Sequence, residues 1–369
     1  MLILSNFILI LLFLYFQHND TFSYLLTSAQ ERVTLPNQAK TKKWWARLIA
    51  YSSFVLLGET SATLLGRLYY KKGGKTILLQ ALLESIGFPI LIPFALHSSA
   101  RHQVITDKPP LNSFFILLAI YASLGFSQAA GGVLYAVGLQ NLPVSTFSLL
   151  TTTQLGFSAL FSYFLNAEKF SFLILNSLVL VSVSSSLLVF RRENAEDGNP
   201  RKERFAAGFC CTLAASSLYS LTLSLTQLVF EKVMMKKSEN SSSVMNMVMY
   251  QSMFGSCMLI AALFASREWW GLREEMKNFE MGELVYLLIV LSVAIGWQVY
   301  YIGTVGLIFE VSSLFSNVIS TVGLPVVPIL APVFFHERMD GIKVIAILLA
   351  LWGFVSYVYQ NYLMNRKSV

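Results

Sequence analysis

Two acids stand where acids are costly. Glu59 and Glu84 are the single charged residues in two otherwise uncharged stretches, 48–66 and 76–100. A carboxylate at mid-bilayer costs at least about 2.5–3.5 kcal/mol by insertion scales, so an acid retained there usually faces a cavity and has work to do. Measured from the loop between the stretches, Glu59 lies eight residues from Arg67 and Glu84 eight from Thr76. At about 1.5 Å per helical residue both sit about 12 Å deep, and equal depth on adjacent helices lets them share one cavity. A carboxyl group in such a place can take up and release a proton. Glu59, flanked by Gly58 and by Thr60 and Ser61, is expected to carry that proton, and Glu84 to tune it or to contact a ring nitrogen of a substrate. The structural alternative is that either acid stays protonated and only bonds a neighbouring helix.

A second group of residues suits a flat, polar-edged ring, whose faces call for aromatic stacking and whose edges call for amides or carboxyls. Trp297 and Tyr301 are four apart and share a helix face, with Gln298 and Tyr300 adjacent. Gln128, Gln154 and Asn317 lie in other apolar stretches, as do Tyr219, Gln227 and Gln251. The expected substrate contacts are Trp297, Asn317, Tyr301, Gln154, Gln128 and Glu84. Each also has a structural reading, because amides inside a bundle bond other helices for roughly 0.6–2 kcal/mol and aromatics near span ends form interfacial belts. Nothing assembles a catalytic centre. The four histidines stand at 18, 97, 102 and 336, and neither H-E-x-x-H nor G-x-S-x-G occurs. Cys210, Cys211 and Cys257 have neither metal-ligand nor disulfide spacing. No enzyme activity, metal or cofactor is expected.

The elements that must position these residues follow from composition. Of 369 residues 55% are hydrophobic and 13% charged, against about 25% charged in soluble domains. A spanning helix needs roughly 20 consecutive apolar residues. Pro109–Ala167 holds no Asp, Glu, Lys or Arg and is long enough for two spans, divided at Gln140–Pro143, where Asn141 and Pro143 supply turn chemistry. Further uncharged runs are 170–190, 205–230, 240–266, 284–309, 311–336 and 344–365. With the two acid-bearing stretches these make ten spans, all helical, because unpaired backbone amides in hydrocarbon cost several kcal/mol each. Gly87, Pro89 and Pro93 are expected to bend the second span, and Gly323, Pro325 and Pro328 to break the ninth. The first 43 residues differ: Phe7–Phe16 is apolar but too short to cross.

The formal charge of +7 comes from basic residues scattered through the loops rather than gathered on one face, which argues against a nucleic-acid partner. Lys and Arg divide almost evenly between the two sides, so the positive-inside rule does not choose an orientation. A near-tie is what two halves of opposite orientation produce. Val137-Gly138-Leu139 recurs as Val305-Gly306-Leu307, and Ser145, Phe147, Ser148 and Thr153 recur as Ser313, Phe315, Ser316 and Thr321, all at an offset of 168. One residue out of step, Glu168 is echoed by Glu337. A repeat of five spans inverts its second copy, an arrangement characteristic of secondary transporters with a midplane substrate site. The expected division is a tail over 1–43, a first five-helix repeat with its connecting loop over 44–204, and a second repeat with the C-terminal tail over 205–369.

Several segments resemble the plant purine permease family of the drug/metabolite transporter superfamily: Lys42-Lys43-Trp44-Trp45, LLGRLYYKKGGK (Leu64–Lys75), GFPILIP (Gly87–Pro93), TQLGFSALFSYFLNAEKF (Thr153–Phe170), VSSLFSNVISTVGLPVVPILA (Val311–Ala331) and FFHERMDGIKVIAILLALWGFVSYVYQ (Phe334–Gln360). The resemblance runs from Lys42 to Gln360. It implies an all-α membrane fold of ten helices in two inverted five-helix repeats, both termini cytosolic, and proton-driven uptake of purines, with cytokinins or alkaloids as cargo of individual members. The apolar run Phe7–Phe16 departs from the polar tail usual in that family. The expected partners are therefore a small heterocycle, protons and the lipid bilayer. The expected address is the plasma membrane, with an endomembrane or the vacuolar membrane as alternatives. Sugar phosphates, the other cargo of this fold, would call for a Lys or Arg within the spans, and the spans hold none. A channel or receptor is the competing class, distinguished from a carrier by saturable, pH-dependent uptake.

Overall fold

The computed structural model describes residues 42–93, 111–166, 200–231 and 241–323, with separate positions between 327 and 352. Among them the backbone is helical apart from short turns, and no strand occurs. The helices are α1 (Lys42–Lys71), α2 (Ile77–Leu83), α3 (Leu111–Asn141), α4 (Val144–Thr151), α5 (Gln154–Asn166), α6 (Pro200–Val229), α7 (Ser241–Ala265), α8 (Leu272–Lys277), α9 (Glu283–Glu310) and α10 (Ser313–Gly323), with 3₁₀ turns at Phe88–Leu91 and Glu268–Gly271. Within the described residues, Trp44–Lys71, Phe115–Asn141, Glu203–Val229, Ser243–Ala265 and Glu283–Glu310 are long and apolar enough to cross a membrane. These match the expected first, third, sixth, seventh and eighth spans. The expected fifth span, 170–190, the first 41 residues and nearly all of 344–365 lie outside the described residues, as do Glu168, Glu337, Pro325 and Pro328.

Burial is inside-out relative to a water-soluble protein. α9 exposes Leu284, Leu287, Leu288, Leu291 and Ile295, while Gln298, Tyr300, Tyr301 and Thr304 of the same helix are buried. An apolar stripe of that length turned outward is stable against lipid and not against water. The closest-associated helix pairs are α1 with α9 and α3 with α6.

Hydrogen bonds sort the helix ends onto two faces. On one face Glu275, in α8, accepts from the backbone N–H groups of Lys75 (3.0 Å) and Thr76 (3.1 Å), from the Thr76 hydroxyl (2.8 Å), and from the hydroxyls of Tyr69 and Tyr286. It thereby supplies acceptors to the orphan donors at the start of α2. Lys72 pairs with Glu280 at 3.0 Å, Gln140 Nε2 donates to the Lys75 carbonyl, and Arg67 donates to the carbonyls of Leu139 and Gln140. On the opposite face Arg47 pairs with Glu310 at 2.6 Å, and Gln227 Oε1 accepts from Ser313 N–H (2.7 Å) and its hydroxyl (2.6 Å). Asn166 Nδ2 reaches Ser313 on that face too. α1 and α9 therefore each run from one face to the other.

α1 and α9 approach closely because both carry glycine at the crossing. A Cβ on Gly58 would lie 2.7 Å from both the Gly296 carbonyl oxygen and the Tyr300 nitrogen, the small-residue contact through which membrane helices associate without a hydrophobic driving force. Gly58→Ala is expected to cost about 1–3 kcal/mol as an overpacked contact, because the atoms it meets are backbone. A lowered melting temperature in detergent would register this, while Gly271→Ala, whose Cβ meets nothing within 4 Å, leaves it unchanged.

Candidate functional site

Two interrupted spans bring polar groups to mid-bundle. The second span stops at Leu83, and Glu84 forms its C-cap, followed by turns and the 3₁₀ segment Phe88–Leu91. Gly87 and Pro89 lie at this interruption, as their residue types predict. Gln298 Nε2 from α9 donates to the carbonyls of Glu84 (3.3 Å) and Ser85 (3.2 Å), answering the polar backbone that the break exposes. The fourth span is interrupted too, between α4 and α5 at Thr152 and Thr153, where neither Gly nor Pro gives warning. There Thr151, Thr152 and Thr153 turn their hydroxyls back onto the carbonyls of Phe147 (2.8 Å), Leu149 (2.6 Å) and Leu150 (2.8 Å). Three successive side-chain bonds of this kind compete with the helical ladder. Just beyond, the Gln154 carbonyl accepts from Ser220 Oγ (2.7 Å) and Asn317 Nδ2 (2.9 Å).

Between these interruptions lies a cavity walled by side chains of several helices. Glu59, Thr63, Gln80, Glu84, Tyr135, Phe147, Gln154, Tyr219, Trp297, Tyr300 and Tyr301 line it. A second lobe shares Glu84, Tyr135, Tyr219 and Tyr301 and adds Ser127, Gln128, Thr222, Gln251 and Thr304. Among the described residues, no Lys, Arg or His lines either lobe.

Both acids are buried, Glu59 5% and Glu84 6% exposed, and both reach the first lobe. Glu59 Oε2 accepts from Ser320 Oγ at 2.7 Å, and Glu84 Oε2 from the Tyr301 hydroxyl at 3.4 Å. Neither forms an ion pair among the described residues. Glu84 fits because α3 presents Gly132 to it: a Cβ there would lie 2.8 Å from Glu84 Oε2. Gln154 Nε2 donates to Ser320 Oγ (3.1 Å), and its Oε1 accepts from the Tyr135 hydroxyl (3.4 Å). Among the described residues several buried polar atoms of lining side chains have no hydrogen-bond partner: Trp297 Nε1 and Gln80 Oε1 in the first lobe, and Gln251 Oε1 in the second. Buried donors and acceptors left open in this way are costly unless a ligand or water meets them.

Of the residues expected to contact substrate, Trp297, Tyr301, Gln154 and Glu84 line the first lobe, while Gln128 lines the second beside Glu84 and Tyr301. Asn317 lines neither. It stands behind the wall, tying α10 to the break between α4 and α5 through the Gln154 carbonyl. Gln80 and Tyr135 were not anticipated. For Tyr135 the signal was the glycine pair Gly131–Gly132 close before it on α3; for Gln80 it was a lone amide one helical turn before Glu84.

Comparison with known proteins gives a consistent result. Residues 46–367 match a family model described as purine nucleobase transmembrane transport. Three Arabidopsis thaliana proteins are similar over most of their length. Purine permease 21 is 46% identical over 89% of this chain and 83% of its own. Probable purine permease 10 is 46% identical over 93% and 86%, and probable purine permease 22 is 47% identical over 89% and 88%.

The position of Asn317 yields a test that separates support from contact. Asn317→Ala is expected to destabilise by about 1–3 kcal/mol, the usual consequence of removing a buried hydrogen-bond partner. Abundance and melting temperature should fall, and the half-saturation concentration of the remaining uptake should stay near the wild-type value.

Proposed function

The chain belongs to the purine permease family, a family of membrane transporters rather than enzymes, and from that premise we propose that it imports purine bases and derivatives such as cytokinins in symport with protons. The observation that carries this reading is two buried carboxyls, Glu59 and Glu84, on one aromatic and amide-lined cavity, with no cation among the described residues that line it. A cavity of that chemistry suits a neutral heterocycle with donors and acceptors on its edges, and offers a phosphate nothing to bind. Trp297, Tyr301, Gln154, Gln128 and Glu84 contact the base in this reading, and Glu59 carries the coupling proton.

The fold belongs to the same proposal: ten spans in two inverted repeats, with halves over 44–204 and 205–369. Three features support it. α3 ends at Asn141 with α4 beginning at Val144, and α9 ends at Glu310 with α10 beginning at Ser313, so the corner recurs within one residue of the sequence offset. The first corner lies on the Lys75 face and the second on the Arg47 face, as inversion requires. The pairing of α1 with α9 and of α3 with α6 is the pattern expected if a pseudo-twofold axis exchanged first with sixth and third with eighth spans.

A second reading, transport of alkaloid-like cations, draws on the same cavity, since carboxyls and aromatic faces without a competing base also favour a protonated amine. Saturable uptake of labelled adenine in yeast lacking its own purine permease, competed with purines, cytokinins and alkaloids, separates the two.

In a proton-coupled importer uptake rises as external pH falls, because the protonated carrier takes up substrate. Glu59→Gln preserves the shape of the side chain but cannot release a proton. It should abolish accumulation against a gradient and flatten the pH dependence, while counterflow exchange persists. Accumulation with wild-type pH dependence in Glu59→Gln, in Glu84→Gln and in the double variant would remove both acids from coupling. Trp297→Ala, at normal abundance, should raise the half-saturation concentration by roughly the equivalent of 1–3 kcal/mol of stacking. Unchanged uptake kinetics would take Trp297 out of the site.

A further inference from the structure

Glu59 meets the cavity wall through a chain of hydroxyls whose direction its protonation state dictates. Ser320 Oγ lies 2.7 Å from Glu59 Oε2, 3.1 Å from Gln154 Nε2 and 3.4 Å from the Tyr300 hydroxyl, and Tyr300 in turn hydrogen-bonds the Tyr219 hydroxyl. Ser320 is fully buried and belongs to α10, Tyr300 to α9 and Tyr219 to α6. Tyr219 lines both lobes of the cavity. A serine hydroxyl has one proton and two acceptor sites, an ionised carboxylate only accepts, and an amide nitrogen only donates. Those counting rules leave few arrangements.

When Glu59 is ionised, Ser320 must give its proton to the carboxylate. Its oxygen then accepts from Gln154 Nε2 and from Tyr300, and the Tyr300 oxygen accepts from Tyr219. The Tyr219 proton is thus used inside the protein, and only its lone pairs remain for a ligand. When Glu59 is protonated, its O–H donates to Ser320. With Gln154 filling the second acceptor site, the Ser320 proton turns to Tyr300, and the Tyr300 proton turns to Tyr219. The Tyr219 proton is then released to the cavity. One O–H bond forms, on Glu59, from the incoming proton; those of Ser320, Tyr300 and Tyr219 stay intact, and the three hydroxyls only rotate.

We propose that Ser320 is the positioning residue that converts protonation of Glu59 into a hydrogen-bond donor at Tyr219, so that a substrate offering an acceptor, such as an unprotonated ring nitrogen, binds more tightly to the protonated carrier. This rests on Glu59 being the coupling acid. It supplies what coupling needs, since a proton shifts a binding equilibrium only through differential affinity between the two states. Other titratable groups facing the same space are Glu84 on α2, Tyr135 on α3 and Tyr301 on α9, with Tyr219 and Tyr300 themselves. Tyr301 serves Glu84 rather than Glu59, and Tyr135 is engaged with Gln154 and Ser216, so neither replaces the serine.

The test is the ratio of half-saturation concentrations for adenine at neutral and at acidic external pH, each variant compared with itself so that differences in abundance cancel. In the full-length wild-type carrier this ratio is expected to be several-fold. Ser320→Ala and Tyr219→Phe should each bring it close to one, although Glu59 is intact in both, and Ser320→Thr, which keeps the hydroxyl, should restore it toward the wild-type value. Should Ser320→Ala fail to reach the membrane, Tyr219→Phe, which preserves ring and volume, decides alone. If Glu59→Gln flattens the ratio but both hydroxyl deletions keep it at the wild-type value, the relay is wrong while the coupling acid stands. If Glu59→Gln itself keeps the wild-type ratio, the coupling assignment fails and the relay falls with it.

Discussion

A carboxyl group enclosed by apolar helices, with no cation beside it among the described residues, is the constraint on which the rest of this structure depends. Such a group must be met by donors and must not be crowded by other side chains. Glu59 receives the Ser320 hydroxyl. Glu84 receives Tyr301 and faces a wall from which Gly132 has removed the side chain. Gln298 holds the carbonyls of Glu84 and Ser85, so the loop that carries the second acid is fixed from α9, the helix that also carries Trp297, Tyr300 and Tyr301.

Interrupted helices provide the means. A continuous helix consumes its own backbone polarity and offers a neighbour only side chains. At Glu84 and at Gln154 the chain instead presents carbonyls that other helices bond, and the two interruptions share one cavity wall with the aromatic face of α9. The amides behind that wall divide the labour: Asn317 secures the Gln154 carbonyl, while the Gln154 side chain bridges Ser320 and Tyr135.

Much of this was legible from residue types. Uncharged runs located the long helices, Asn141 and Pro143 marked the corner after α3, and counting equal depths from the first loop placed Glu59 and Glu84 on one cavity. Trp297 and Tyr301 followed from four-residue spacing. The interruption at Thr152 was not legible from apolar patterning, because threonine counts as nearly neutral there while its hydroxyl competes for helical carbonyls. Tyr135 and Gln80 escaped for another reason. When a helix is apolar on every side, composition does not say which side faces inward, and only packing against α6 and α9 fixes the rotation. Asn317 illustrates the converse, a residue of the right chemistry and depth that lies one layer behind the surface it was expected to line.

The association of α1 with α9 also bears on how the molecule is made. About 210 residues separate the end of α1 from the start of α9, which at 5–20 residues per second is roughly 10–40 s of translation. Throughout that interval the groove at Gly58 has no partner and Glu59 lacks the serine that will hold it, since Ser320 is synthesised later still. The wall around Glu59 is therefore complete only once α9 and α10 have been made, late in synthesis rather than early.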